Sequence, residues 1–155
     1  MASVTALPGR ADHPARLTVT VKAPDGTVRR SLTFDRAALA RLPQTEFTTR
    51  TIWTDGPQHF RGVALAALLA QLGTEATHVE LDAINDYTVS IPAAEIAADY
   101  PVIAYSRNGA AMHLRDMGPF WLVYNYDADP AFRTQTAYAR SIWQLERITV
   151  HLATP

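Results

Sequence analysis

Short runs of alternating apolar and polar residues, each closed by turn chemistry, commit this chain to strands first and helices second. Leu17, Val19 and Val21 alternate with Thr18, Thr20 and Lys22, the period of a half-buried strand over Arg16–Lys22. Pro24-Asp25-Gly26 supplies a turn, and Val28–Phe34 runs back as the second arm of a hairpin. Asp35 can cap a short helix over Arg36–Leu42 that Pro43 closes, and Thr45–Thr54, rich in β-branched and aromatic residues, reads as a strand entering a loop. Helical spacing occurs over Gly62–Leu72, with Gly73 as its stop.

Further on, His78–Ile84 and Tyr87–Ile91 read as strands joined at Asn85-Asp86, and Pro92 can open a helix reaching Ala98. Val102–Ser106 and Met112–Leu114 flank Asn108-Gly109, a hairpin signal. Phe120–Asn125 and Arg147–Leu152 complete the strands, and the polar, aromatic stretch Tyr126–Trp143 is expected to be irregular. Strands interleaved with fewer, shorter helices make this an α+β fold with a mixed sheet.

The 155 residues suit one domain, expected over residues 16–155 behind a flexible segment, 1–15. Fourteen basic residues against fifteen acidic ones, a formal charge of -1, argue against nucleic acid as a partner. The complete absence of cysteine removes disulfides, thiolate nucleophiles, zinc ribbons and iron–sulfur clusters, and is compatible with an oxidising compartment. No run approaches the roughly 20 apolar residues that span a bilayer, so direct membrane insertion is not expected. The start, Met1-Ala2-Ser3, carries no signal peptide and fits a mature exported protein or a cytosolic one.

Catalytic signatures are weak. His13, His59, His78, His113 and His151 include no pair at metal-ligand spacing. There is no nucleophile elbow and no phosphate-cradling glycine loop, and Asp127-Ala128-Asp129 lacks the glycine and closing glutamate of a calcium loop. The aromatics carry more: Trp53, Trp121 and Trp143 fall beside Tyr87, Tyr124, Tyr126 and Tyr138, near charged or amide residues. Such a set either fills a core or presents flat faces to a planar, polar heterocycle. Arg50, Asp86 and Arg140 lie amid these aromatics and need partners.

At Phe47-Thr48-Thr49-Arg50-Thr51-Ile52-Trp53-Thr54, then Phe60-Arg61-Gly62-Val63-Ala64-Leu65 and Leu68-Leu69, the chain resembles the active-site segment of the sulfite oxidase family. Bacterial members carry Phe-x-Cys-x-x-x-Trp-Ser, Gly-Val-x-Leu and a Leu-Leu helix there. Tyr87-Thr88-Val89-Ser90-Ile91-Pro92, Ala104-Tyr105, Asn108-Gly109 and Arg115-Asp116-Met117-Gly118-Pro119 resemble later family motifs. Ala139-Arg140-Ser141-Ile142-Trp143-Gln144-Leu145 with Arg147-Ile148 is similar to the closing segment that supports the pterin. The resemblance implies a sulfite-oxidase-type molybdopterin-binding domain.

Two departures shape what it implies. Thr49 stands where the family has its metal-binding cysteine, and a neutral hydroxyl does not replace a soft, charged thiolate. Trp143 stands where many members have a cofactor-binding lysine, exchanging a phosphate contact for a stacking face. The pattern resembles the molybdenum-free periplasmic pterin-binding proteins of the PruR type. These report occupancy by a reduced pterin to the periplasmic domain of a membrane-bound cyclic di-GMP cyclase or phosphodiesterase. The expectation is a non-catalytic, periplasmic pterin sensor, with a cytoplasmic location as the alternative. The same resemblance implies a pterin as ligand, with no cofactor required and no metal expected.

In such a site, Trp143 and Trp53 would stack on the ring, with Tyr87 next. Asp86 or Asp116 would read the pyrimidine edge, Arg50 or Arg140 would donate to the carbonyl oxygen, and Ser141 would add backbone or hydroxyl contacts. The Tyr126–Tyr138 stretch would transmit occupancy. The competing expectations are a molybdopterin-dependent oxidoreductase with non-thiolate metal ligands, and a ligand-free adaptor on the same fold.

Overall fold

A computed structural model describes residues 15–155; the flexible segment expected over 1–15, apart from Ala15, and His13 with it, lie outside the described residues. Strands β1 (Leu17–Lys22) and β2 (Val28–Phe34) form the expected hairpin, paired from Leu17↔Phe34 to Lys22↔Val28. Asp35 caps α1 (Arg36–Ala40), its carboxylate accepting the Ala38 N–H at 2.7 Å. There follow β3 (Thr45–Thr49), β4 (Gln58–Ala64), α2 (Leu65–Leu72), β5 (Ala76–Ala83) and β6 (Thr88–Pro92). The chain ends through β7 (Val102–Arg107), β8 (Ala110–Ala111), β9 (Trp121–Val123), α3 (Gln135–Arg140) and β10 (Leu145–Leu152).

These strands make two five-stranded sheets. The first has the order β2-β1-β10-β5-β6, with β10 parallel to β1 and every other pairing antiparallel. The second is antiparallel, β9-β7-β4-β3, with β8 returning beside β7. One apolar core joins them: Leu17, Val19 and Val21 of β1 and Val79 and Leu81 of β5 meet Val63, Ile103 and Leu122 of the second sheet. Each fully buried aliphatic side chain there contributes about 1.5–3 kcal/mol.

The second sheet is buried on its other face as well. Phe47, Phe60, Ala64, Val102, Ala104, Trp121 and Val123 form a separate cluster there, against which Trp53 and Trp143 pack. This second apolar layer positions the site described below. The strands lie so close that a Cβ on Gly62 would sit 2.0 Å from the Ile103 carbonyl oxygen, at the point where the β4–β7 register shifts. The whole is an α+β fold of mixed sheets with short helices.

Four expectations are corrected. Helix α2 begins at Leu65, because Gly62, Val63 and Ala64 end a strand that the sequence reading missed. That strand's apolar end is buried on both faces, so no alternation announces it. Pro92 opens only a 3-10 turn, Ala93–Glu95. The hairpin at Asn108-Gly109 forms, but its return arm is Ala110–Ala111, and the 3-10 turn Leu114–Asp116 overlaps the end of the expected Met112–Leu114 arm. Finally, Tyr126–Trp143 is mostly helical, not irregular: two 3-10 turns lead to α3, which starts where the Thr134 hydroxyl accepts the Ala137 N–H at 3.2 Å. Only Ala137 of α3 is buried, so the helix carries no apolar stripe to read.

Candidate functional site

The outer layer of the second sheet is aromatic. Trp121 of β9 is fully buried, with Phe60 of β4 edge-on at 5.3 Å. Over it lies Trp53, placed by a short turn after β3 in which its N–H donates to the Thr51 hydroxyl at 3.0 Å. Trp53 is a hub: Trp121, Tyr126, Tyr138 and Trp143 all meet it edge-to-face, at ring distances of 5.7–6.0 Å. Such pairs add about 0.5–1.5 kcal/mol each beyond the area they bury.

Beside this hub opens a cavity of about 650 Å³, walled by Ile52, Trp53 and Trp143, by Asn85 and Tyr87 of the β5–β6 turn, and by Gln135, Tyr138 and Ala139 of α3. Ala83, Ser141 and Ile142 complete the wall. The size falls within the roughly 300–1,000 Å³ of small-molecule sites. Tyr87 is 49% exposed, and its hydroxyl donates to the Ala139 carbonyl at 3.1 Å, tying the β5–β6 turn to α3. Asn85 accepts the Tyr87 N–H through its side-chain oxygen at 3.2 Å.

A buried relay holds the α3 side in place. The Tyr126 hydroxyl donates to Ser141 Oγ at 2.6 Å, and Ser141 Oγ donates to the Ala137 carbonyl at 2.8 Å. The Trp121 indole N–H donates to the Ser141 carbonyl at 3.2 Å. Burial pushes the Tyr126 phenol far above the ordinary tyrosine value, against the smaller opposing effect of the Ser141 hydrogen bond. Burial also raises the Tyr124 phenol, with Arg140 opposing it.

Of the residues singled out by sequence, Trp53, Tyr87, Ser141 and Trp143 line the cavity. The charged candidates lie elsewhere. Arg50 is exposed, its backbone N–H donating to Asp127 at 2.9 Å and its guanidinium 3.9 Å from the same carboxylate. Asp86 occupies the left-handed tip of the β5–β6 turn, φ 71°, between two wall residues without being one. Asp116 is exposed on the Leu114–Asp116 turn. Arg140, its side chain only 15% exposed, pairs with Glu95 at 2.6 Å. The polar side chains on the wall are therefore uncharged, with the carboxamides of Asn85 and Gln135 in place of the anticipated carboxylates. Tyr138 and Ile52 were not anticipated in the site. Tyr138 was visible in the aromatic run, but its place on a helix face was not.

A second, more polar cavity of about 460 Å³ shares Ile52 and Trp53 and adds Thr54, Asp55, Gln58 and Arg107. Its glutamine is held internally, accepting from Asn108 and donating to the Asp55 carbonyl, both at 2.8 Å.

Thr49, at the end of β3, is 1% exposed, and its hydroxyl is used in both directions. It donates to the Arg50 carbonyl at 3.1 Å and accepts the Asp127 N–H at 2.9 Å. With no cysteine in the chain, and no group of three His, Asp or Glu converging among the described residues, this donor set does not fit a thiolate-ligated molybdenum. Two histidines do meet on the first sheet: His78 and His151 stack at 4.3 Å, with His151 against Glu80 at 2.5 Å. They lie on paired strands away from the cavity wall.

No curated protein matches the chain closely enough to identify a relative. A family model does match, over residues 6–125, more than half the chain and all of β1 to β9. With its two-sheet α+β fold, the chain belongs to the oxidoreductase molybdopterin-binding domain family, the sulfite oxidase type.

Proposed function

We propose that this domain binds a pterin reversibly, without molybdenum and without catalysing a reaction on it. The observation that carries this reading is the cavity between Trp53, Trp143, Tyr138 and α3, whose wall offers indole and phenol rings with two carboxamides. A pterin is flat and polarisable, and its pyrimidine edge presents an N–H beside a carbonyl. A carboxamide carries the complementary acceptor and donor, so Asn85 and Gln135 take the edge-reading role first assigned to Asp86 or Asp116. Trp143 and Trp53 supply the flat faces, with the half-exposed Tyr87 ring beside them on the wall. Stacking plus a few hydrogen bonds supports micromolar affinity, about -8 kcal/mol.

The absence of a thiolate and the commitment of the Thr49 hydroxyl to backbone partners favour a metal-free ligand over a molybdopterin oxidase. The resemblance to PruR-type proteins supports a periplasmic sensor that passes occupancy to a membrane-bound cyclic di-GMP enzyme. Within this reading α3 and the turns before it are the elements whose packing a ligand would alter.

The test is calorimetric titration of the protein with pterin and 7,8-dihydropterin, wild type against Trp143→Ala. Loss of one stacking face costs about 1–3 kcal/mol, a weakening of roughly 5- to 150-fold. Saturable binding that the substitution weakens to that degree supports the proposal. Absence of binding by wild type, or binding indifferent to Trp143, refutes it.

A further inference from the structure

Thr49 does more than occupy a position where the resemblance places a metal ligand. Two hydrogen bonds join segments 77–78 residues apart, Asp127 N–H to Thr49 Oγ at 2.9 Å and Arg50 N–H to Asp127 Oδ2 at 2.9 Å, and the Thr49 hydroxyl is oriented by donating to the neighbouring Arg50 carbonyl at 3.1 Å. The first segment runs into the cavity wall and the second is hydrogen-bonded to it. Four residues after Thr49 comes Trp53, on a turn pinned by the Thr51 and Thr54 hydroxyls, 2.6 Å apart. Beside Asp127 is Tyr126, whose ring meets Trp53 at 6.0 Å and whose hydroxyl reaches Ser141 on the cavity wall. The Tyr126 carbonyl accepts from the Arg133 guanidinium at 2.7 Å, so the approach to α3 is tied to the same point.

We infer that Thr49 is a positioning residue: its hydroxyl, oriented by the Arg50 carbonyl, holds the Asp127 N–H and so sets the spacing between the Trp53 turn and the α3 side, and with it the width of the cavity. Thr49 is not on the cavity wall and acts through Trp53 and Tyr126. The inference rests on the pterin reading for its ligand but not for its geometry.

The discriminating pair is Thr49→Val, which keeps the shape and removes the hydroxyl, and Thr49→Ser, which keeps the hydroxyl. Each is titrated with 7,8-dihydropterin and examined by near-ultraviolet circular dichroism and thermal unfolding. Thr49→Val is expected to weaken binding at least tenfold and to alter the aromatic dichroism, while Thr49→Ser stays within about threefold of wild type on both. If Thr49→Val lowers only the melting temperature, leaving affinity and aromatic dichroism at wild-type values, the hydroxyl is merely structural and the inference fails. Equal losses in the two variants also overturn it. If wild type binds no pterin, the pterin reading falls by itself. The dichroism then decides the positioning role: a change in Thr49→Val restored by Thr49→Ser supports it, and identical spectra refute it.

Discussion

Removing the Ser141 hydroxyl should cost more than removing both partners of the bond it makes. In Ser141→Ala the Tyr126 hydroxyl stays buried beside Trp53 and Tyr138 and loses the acceptor it now meets at 2.6 Å. An orphaned buried hydroxyl costs about 1–3 kcal/mol, so the single change should destabilise the fold by about 2 kcal/mol. Tyr126→Phe removes the donor while Ser141 Oγ still donates to the Ala137 carbonyl, and should cost about 1 kcal/mol. The double variant leaves two apolar groups facing each other and should be no less stable than Ser141→Ala. The coupling between the sites is then about 1–2 kcal/mol. For a domain of this size each kcal/mol moves the melting temperature by roughly 2–4 °C, so Ser141→Ala should melt about 4–8 °C below wild type. Urea unfolding of all four proteins, followed by tryptophan fluorescence and far-ultraviolet dichroism, gives the cycle. Strictly additive losses, or a Ser141→Ala protein as stable as wild type, would refute the relay.

Other consequences can be checked with simpler experiments. Gly62→Ala would put a methyl group 2.0 Å from the Ile103 carbonyl and should abolish soluble expression or cooperative unfolding. Thr134→Ala removes the α3 cap and should cost about 1 kcal/mol in urea unfolding, and, because α3 forms part of the wall, should also weaken 7,8-dihydropterin binding in a calorimetric titration. The raised Tyr126 phenol keeps its proton in the folded state after the unfolded chain has lost it. Its stabilisation is therefore intact below about pH 10 and declines as pH rises further; Tyr126→Phe should show a shallower alkaline decline. Arg50→Ala removes only an exposed side chain and should leave pterin affinity within about twofold of wild type by titration.

The first sheet was legible because one of its faces is wet: Leu17, Val19 and Val21 alternate with half-exposed partners, and β10 could be read from Ile148 and Val150. In the second sheet β4 was missed, because its end, Gly62-Val63-Ala64, is buried on both sides and carries no period, whereas the continuous apolar run at Trp121-Leu122-Val123 was readable as a buried strand. The aromatic part of the cavity wall was readable, since Trp53, Trp143 and Tyr87 stand within recognisable motifs. Its polar half was not. Charge attracts attention in a sequence, yet Arg140 is satisfied by Glu95, Arg50 by Asp127, and Asp86 serves a turn. The carboxamides Asn85 and Gln135 reach the wall through the β5–β6 turn and through α3, whose weak patterning hid it.

Native mass spectrometry of the purified protein, titrated with 7,8-dihydropterin and with molybdenum determined on the same sample, addresses the central claim most directly. The account predicts one pterin per chain at micromolar concentrations, or a reduced pterin already carried through purification, with no stoichiometric molybdenum. One molybdenum per chain held with molybdopterin, or a protein that takes up no pterin, would contradict it.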